Sequence, residues 1–201
     1  MCIRDRTQAY IGANAIVTAG PGPTASVMVG ASDDFYHLSV GAGLAFGVVG
    51  VAPAVGVNVI TDTTTASIGN GAKVTAAGGI SVTANGSENI LLIGVGLAAG
   101  AVGVGAVVDV LSISNQTTAS IGTSATVHAG GNVLVSAVDN TSVLELSGAL
   151  AGGFVGIGGA VGVMLITKVT DASIGASANV EGLGNGAAAG GILNGVIARC
   201  V

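Results

Sequence analysis

The residues with which this chain could do chemistry are few. His37 and His128 are its only histidines. His128 stands in Val127-His128-Ala129, where the previous copy of a repeat described below has Thr75, so it reads as a tolerated turn residue rather than a base or a ligand. Asp33-Asp34 is the only adjacent acidic pair, and a calcium loop needs more oxygen ligands at loop spacing. Serine and threonine are abundant, but no histidine and carboxylate accompany one at a repeating position, as nucleophilic catalysis requires. The GxG and GxxG strings lack the strand-to-helix setting of a phosphate loop. Cys2 and Cys200 form neither a CxxC motif nor a metal cluster. Asp109, where the flanking copies have Gly56 and Gly162, reads as drift at a permissive site. One stretch stands apart: Phe35, Tyr36 and His37 follow the acidic pair in the least repeat-like region, and they are the candidate recognition loop. The expectation is a chain that is not an enzyme and that holds no cofactor and no metal.

Composition narrows the remaining classes. Of 201 residues 36 are Gly, 50% are hydrophobic, 7% are charged and only 2% are aromatic. A mean hydropathy of +0.84 excludes a solvated disordered chain. Five basic residues against ten acidic ones leave no patch to neutralise phosphates, so no nucleic acid is expected as a partner. Residues 1–6, Met-Cys-Ile-Arg-Asp-Arg, read as the translation of a sequencing adapter, and composition changes abruptly at Thr7. Setting them aside leaves three basic and nine acidic residues, net −6, with Cys200 as the single cysteine. The expectation is therefore a metagenomic fragment with an artificial start.

The positioning elements are repeats. TQAYIG at 7–12, TTASIG at 64–69, TTASIG at 117–122 and TDASIG at 170–175 are spaced by 57, 53 and 53 residues. After each comes a short polar turn and a Val-x-Ala-Gly type segment, then a strand of polar alternation such as ISVTA at 80–84 or VLVSA at 133–137. A long Gly/Val/Ala stretch returns the chain to the next anchor. The four extra residues of the first copy fall near Pro21-Gly22-Pro23, where turns tolerate insertion. The division is 7–63, 64–116 and 117–169 as three repeats, then 170–201 as a partial fourth whose tail, 192–201, matches no repeat.

The long stretches 38–60, 90–108 and 146–167 carry no charge. Each has nearly the ~20 residues of a membrane helix, with Gly43/Gly47 and Gly96/Gly100 at helix-dimer spacing. A Gly-zipper integral membrane protein with three apolar helices is thus the alternative reading. Against it, belts of Trp or Tyr and Lys/Arg-biased loops are missing. Aromatic girdles are missing too, which counts against a transmembrane barrel. Period-two alternation with Val, Ile and Thr favours strands. A strand from Glu88 to Gly100 would run about 43 Å, long for a solenoid rung, so hairpins turning near 50–53, 103–106 and 156–159 are predicted. The fold class is all-β: a parallel β-solenoid-like stack of about 53-residue repeats with long Gly/Val/Ala hairpins.

TTASIG, the V-T-A-G-G turn, the I-S-V-T-A strand and the A-G-V-G-A-V-V-V return together resemble the repeats of large bacterial surface exoproteins. These are the filamentous-haemagglutinin-like and leukotoxin-type filamentous adhesins and related autotransporter passengers. The resemblance covers 7 to about 184. It implies a non-catalytic shaft segment of a large secreted adhesin, displayed at the bacterial cell surface and attached to the outer membrane. Its partners would be neighbouring repeats of the same longer chain, with host protein or glycan met through regions outside these residues. The isolated segment is expected to self-associate. The last copy decays after Val180, and no secretion or haemagglutination-type domain lies within these residues.

Overall fold

The computed structural model describes residues 1–22, 24–184 and 196–200. Among these residues it is built of strands with no helix. In chain order they are β1 (Cys2–Ile11), β2 (Ile16–Thr18), β3 (Val27–Phe46), β4 (Val49–Ile68), β5 (Lys73–Ala76) and β6 (Ile80–Ala99). Then follow β7 (Val102–Ile121), β8 (Thr126–Ala129), β9 (Val133–Gly152), β10 (Val155–Ile174), β11 (Asn179–Gly182) and β12 (Val196–Cys200). They form three parallel sheets, ordered β1-β4-β7-β10, β2-β5-β8-β11 and β3-β6-β9-β12. The sheets are open, and the fold is a parallel β-solenoid-like stack.

Sequence spacing and strand register coincide. Thr64 pairs with Thr117 and Thr117 with Thr170, and Ile68, Ile121 and Ile174 line up in the same way. The TTASIG motif is legible as period-two burial: Thr64, Ala66 and Ile68 are all buried, while Thr65 and Ser67 alternate with them on the outer face. The closing glycine marks a close approach between rungs. A Cβ on Gly122 would stand 2.6 Å from the Asn70 nitrogen, and one on Gly175 would stand 2.6 Å from the Thr123 nitrogen. In the turn that follows, Asn14, Gly71, Ser124 and Ser177 occupy one equivalent left-handed position, with φ between 55° and 66°.

The apolar stretches are strands, which counts against the helical alternative: among the described residues no helix is long and apolar enough to cross a membrane. They also exceed the expected strand length. β3, β4, β6, β7, β9 and β10 each have 20 residues, about 66 Å. The turns lie at Gly47-Val48, Gly100-Ala101 and Gly153-Phe154, not at 50–53, 103–106 and 156–159. The later glycines thin the interior instead: a Cβ on Gly103 would meet carbonyl oxygens of Gly152 at 3.0 Å and Ala98 at 3.2 Å. Nor are the units hairpins. β6 and β7 belong to different sheets and face each other across the interior as an arch, each bonded to the next rung. Pro53 lies where β4 has β7 on one side and is beyond the reach of β1, an edge that needs no donor.

At both ends the strands extend beyond the repeats read from sequence. Cys2–Arg6, set aside above, form the first half of β1 and pair with Val59–Thr63. Of the tail 192–201, residues 192–195 and 201 lie outside the described residues. Val196–Cys200 pairs with Val133–Ala137, a spacing of 63 rather than 53, so this part of the tail continues the sheet. The first repeat's longer turn lies between β2 and β3, where the sequence placed it, although Pro23 itself is outside the described residues.

The interior is layered along the strands. Where the three sheets meet, a core of small and β-branched side chains includes Ala66, Ile68, Val74, Ile80, Val82, Ile121, Val127 and Val135. Further toward the arch turns lies a second core of Ile60, Ile90, Leu92, Leu111 and Ile113, joined by Phe35 and Val143.

Candidate functional site

Between the two cores the inward positions become polar. Thr64 and Thr117, Asp62 and Asn115, Glu88 and Asp139 are all buried there. Period-two alternation puts them inside, because they share strand parity with Ile60, Ala66 and Ile68 on β4, Ile80, Val82 and Ala84 on β6, Leu111 and Ile121 on β7, or Val133 and Val135 on β9. Parallel register stacks them into columns. Asp5, Asp62, Asn115 and Lys168 form one column on β1, β4, β7 and β10. Asp33, Gly86 and Asp139 form a second, and Phe35, Glu88 and Thr141 a third, on β3, β6 and β9.

Carboxyl groups in this layer meet in pairs. Asp33 and Asp62 hydrogen-bond side chain to side chain, and burial, followed by the charge of Asp33, pushes Asp62 up to about 6. Asp33 is raised as well, first by burial and then by Asp5. Glu88 is pushed up to about 7 by burial, reinforced by the charge of Asp139 and opposed by a 2.6 Å hydrogen bond from Thr141. Asp33 Oδ2, Asp62 Oδ1, Glu88 Oε1 and Asp139 Oδ2 have no other hydrogen-bond partner among the described residues. Protonation of Asp62 or Glu88, which burial favours, supplies a donor to its pair. Lys168 closes the layer: its Nζ lies 2.9 Å from Asp139 Oδ1 and donates to the Asp139 carbonyl at 3.1 Å. Glu88, Asp139, Thr141 and Lys168 also line an open cleft of about 360 Å³. The arrangement can store and share protons. Among the described residues, no three His, Cys, Asp or Glu side chains are grouped to hold a metal.

A second polar set lies nearer the arch turns. Asp109 is buried and accepts a 2.6 Å hydrogen bond from Ser147. A Cβ on Gly56 of the neighbouring rung would run into the Asp109 carboxylate, and one on Gly162 into that of Glu145. Asp109 therefore fills a space left by Gly56 and Gly94.

Phe35, Tyr36 and His37 are not a loop. They lie in mid-β3, with period two separating their faces. Phe35 and His37 point inward and stack, ring centroids 6.1 Å apart, and His37 is buried with Nε2 3.2 Å from Asn58 Oδ1. Tyr36 alone is exposed. Regular pairing of Asp33–His37 with Gly86–Ile90 overrides the irregular sequence. His128 sits in strand β8 rather than in a turn, and its Nδ1 meets Glu181 Oε2 of the next rung at 3.0 Å.

Sequence reasoning passed over Asp62, Glu88, Asp139 and Lys168. The available signal was parity: each is a charged residue on the inward register of a strand, Asp62 and Lys168 at equivalent repeat positions and Glu88 and Asp139 two positions apart in the repeat. No family model, curated protein or solved structure matches the chain.

Proposed function

We propose that this chain is a non-catalytic structural segment, the shaft of a large secreted bacterial surface adhesin attached at the outer membrane. The observation that carries the reading is the register. β4, β7 and β10 pair over their full 20 residues at a constant offset of 53, so each rung serves as the template for the next. The side chains able to do chemistry change along each column, from Asp62 to Asn115 to Lys168. A shaft needs the backbone register kept and tolerates drift in such groups, whereas a catalytic repeat would keep them. Host protein or glycan is then engaged by regions outside these residues.

The test is to insert one further copy of 64–116. Circular dichroism of the result stays strand-like, and small-angle scattering shows a particle longer by about 4.8 Å, one strand spacing. A helical spectrum, or unfolding on insertion, overturns the reading. So does retention of the unmodified chain on a glycan array, because a shaft presents no recognition site of its own.

A further inference from the structure

The outer faces of the arches change character halfway along each strand, at one level on both sheets. On β6 the outward residues run Ser81, Thr83, Asn85, Ser87, Asn89 and then become Leu91, Ile93, Val95, Leu97. On β7 they are apolar from Val102 to Val110 and polar from Ser112 onward. Counted from the Gly100-Ala101 turn, Leu91 and Val110 stand at equal height, and so do Asn89 and Ser112. On the other two arches the same level, where Leu38 stands beside Val57 and Leu144 beside Val163, ends the wholly apolar stretch, although Val59 on β4 and Leu165 and Val169 on β10 add outward apolar residues below it. Above it every outward residue on all three arches is aliphatic, Phe, Pro or Gly. Among the described residues nothing covers these faces even at the middle rung, where Val95, Val102 and Val108 remain 37–39% exposed with a strand on either side. The turns are apolar too: Val48 is 80% exposed and Phe154 is 98% exposed.

We infer that this distal half is built to be embedded in the acyl chains of a lipid bilayer, with the polar half and the three-sheet core left in water. The ten residues from Leu91 to Gly100 rise about 33 Å, matching a hydrocarbon core of about 30 Å. Apolar surroundings require every backbone group to be satisfied internally, and at the middle rung, where β6 and β7 have a partner on either side over their full length, stacking does this up to the turn itself. Gly100 N–H donates to the Gly152 carbonyl at 3.1 Å, Val102 N–H to Val48 at 3.1 Å, and Val155 N–H to Ala101 at 3.2 Å. The polar groups at this height, Ser39, Asp109, Glu145 and Ser147, have inward parity and hydrogen-bond there, Ser39 to Asn58 just below the boundary and Ser147 to both carboxyls. A second copy is a poorer occupant. Three rungs present about 33 by 14 Å per face, roughly 460 Å², against about 800 Å² per partner in a stable interface. A copy on one face would also leave the other face and the turn bare, whereas a bilayer contacts all three.

The chain has no Trp, so an introduced one is a sole reporter. The experiment mixes the full chain with phosphatidylcholine–phosphatidylglycerol vesicles and measures flotation, together with quenching of Leu97→Trp and Thr83→Trp by brominated acyl chains. The expected result is that the unmodified chain floats, Leu97→Trp shifts to the blue and is quenched, and Thr83→Trp is neither. Ile93→Thr, Val95→Thr and Val104→Thr combined keep strand propensity and abolish flotation with an unchanged strand spectrum. Three results would overturn the inference: the unmodified chain staying with the aqueous fraction, equal quenching at both positions, or flotation unaffected by the triple change. A blue-shifted Leu97→Trp in a lipid-free dimer would assign the faces to a second copy instead. None of these outcomes depends on whether the segment belongs to an adhesin.

Discussion

Glu88 and Asp62 put a pH dependence into the fold that runs opposite to ordinary acid denaturation. Their carboxyls are raised to about 7 and about 6, chiefly by burial, so the folded state binds their protons more tightly than the unfolded chain does. This contribution is complete below the unfolded carboxyl range and is lost as pH rises through the folded values. The denaturation midpoint should therefore be higher near pH 5 than near pH 8. Glu88→Gln, which stays neutral, should flatten that slope and raise stability at pH 8 by about 1–3 kcal/mol. A midpoint that climbs from pH 5 to pH 8 would show that the carboxyls are ionised in the fold. Glycine gives a second residue-scale contrast. Gly122→Ala forces a Cβ against the Asn70 and Gly69 backbone at 2.6–2.7 Å and should cost about 1–3 kcal/mol. Gly159→Ala, with nothing within 4 Å, should shift the thermal midpoint little.

At the scale of the element, each long strand carries two independent patterns. Inward parity builds the layers of small residues, polar groups and apolar core, while the outward side changes from polar to apolar partway along. β7 allows the two faces to be tested on one strand. Leu111 is fully buried in the second core, so Leu111→Ala should destabilise by about 2–5 kcal/mol in chemical denaturation. Val108, three residues away and 39% exposed, should lose under about 0.5 kcal/mol in lipid-free buffer when changed to Ala. Comparable losses at both positions would mean that the outer face is packed against something in solution. The left-handed turn position offers a gain. Ser124 sits at φ 55°, and Ser124→Gly should stabilise by up to about 1 kcal/mol, because Gly meets no Cβ penalty there.

For the whole molecule, the solenoid has growth surfaces at its ends. β1 and β10 are the outermost strands of their sheet, and β10 shows a nearly continuous exposed face from Val155 to Val169. Unpaired parallel edges template further strands, and the uncharged Val/Gly segments lack gatekeeping charges. The isolated chain should self-associate end to end, with light scattering rising with concentration. Placing Lys at Val161 and Val163 should suppress this; a clean monomer without those changes would mean that the edges are already protected. End-to-end growth is distinct from face-to-face pairing, because it leaves the outward residues of the arches exposed.

The sequence by itself determined the repeat length, the strand class and the register. The offset of 53 between TTASIG anchors is the offset between paired strands, because stacked parallel rungs reward identical side chains at identical heights. It also placed the first repeat's insertion in a turn. Tertiary structure decided what periodicity cannot encode. Gly47, Gly50 and Pro53 all carry turn chemistry, and only the facing of two sheets shows that the chain reverses at Gly47-Val48 while the later residues thin the interior. Phe35, Tyr36 and His37 read as an irregular loop until backbone pairing with β6 drew them into a strand and split them between two faces. The polar layer escaped a reading of local motifs because its members lie 26 or 53 residues apart, as in Asn115–Thr141 and Glu88–Thr141. Such groups meet only when rungs stack and one sheet closes over another, and the burial that results is what raises Asp62 and Glu88.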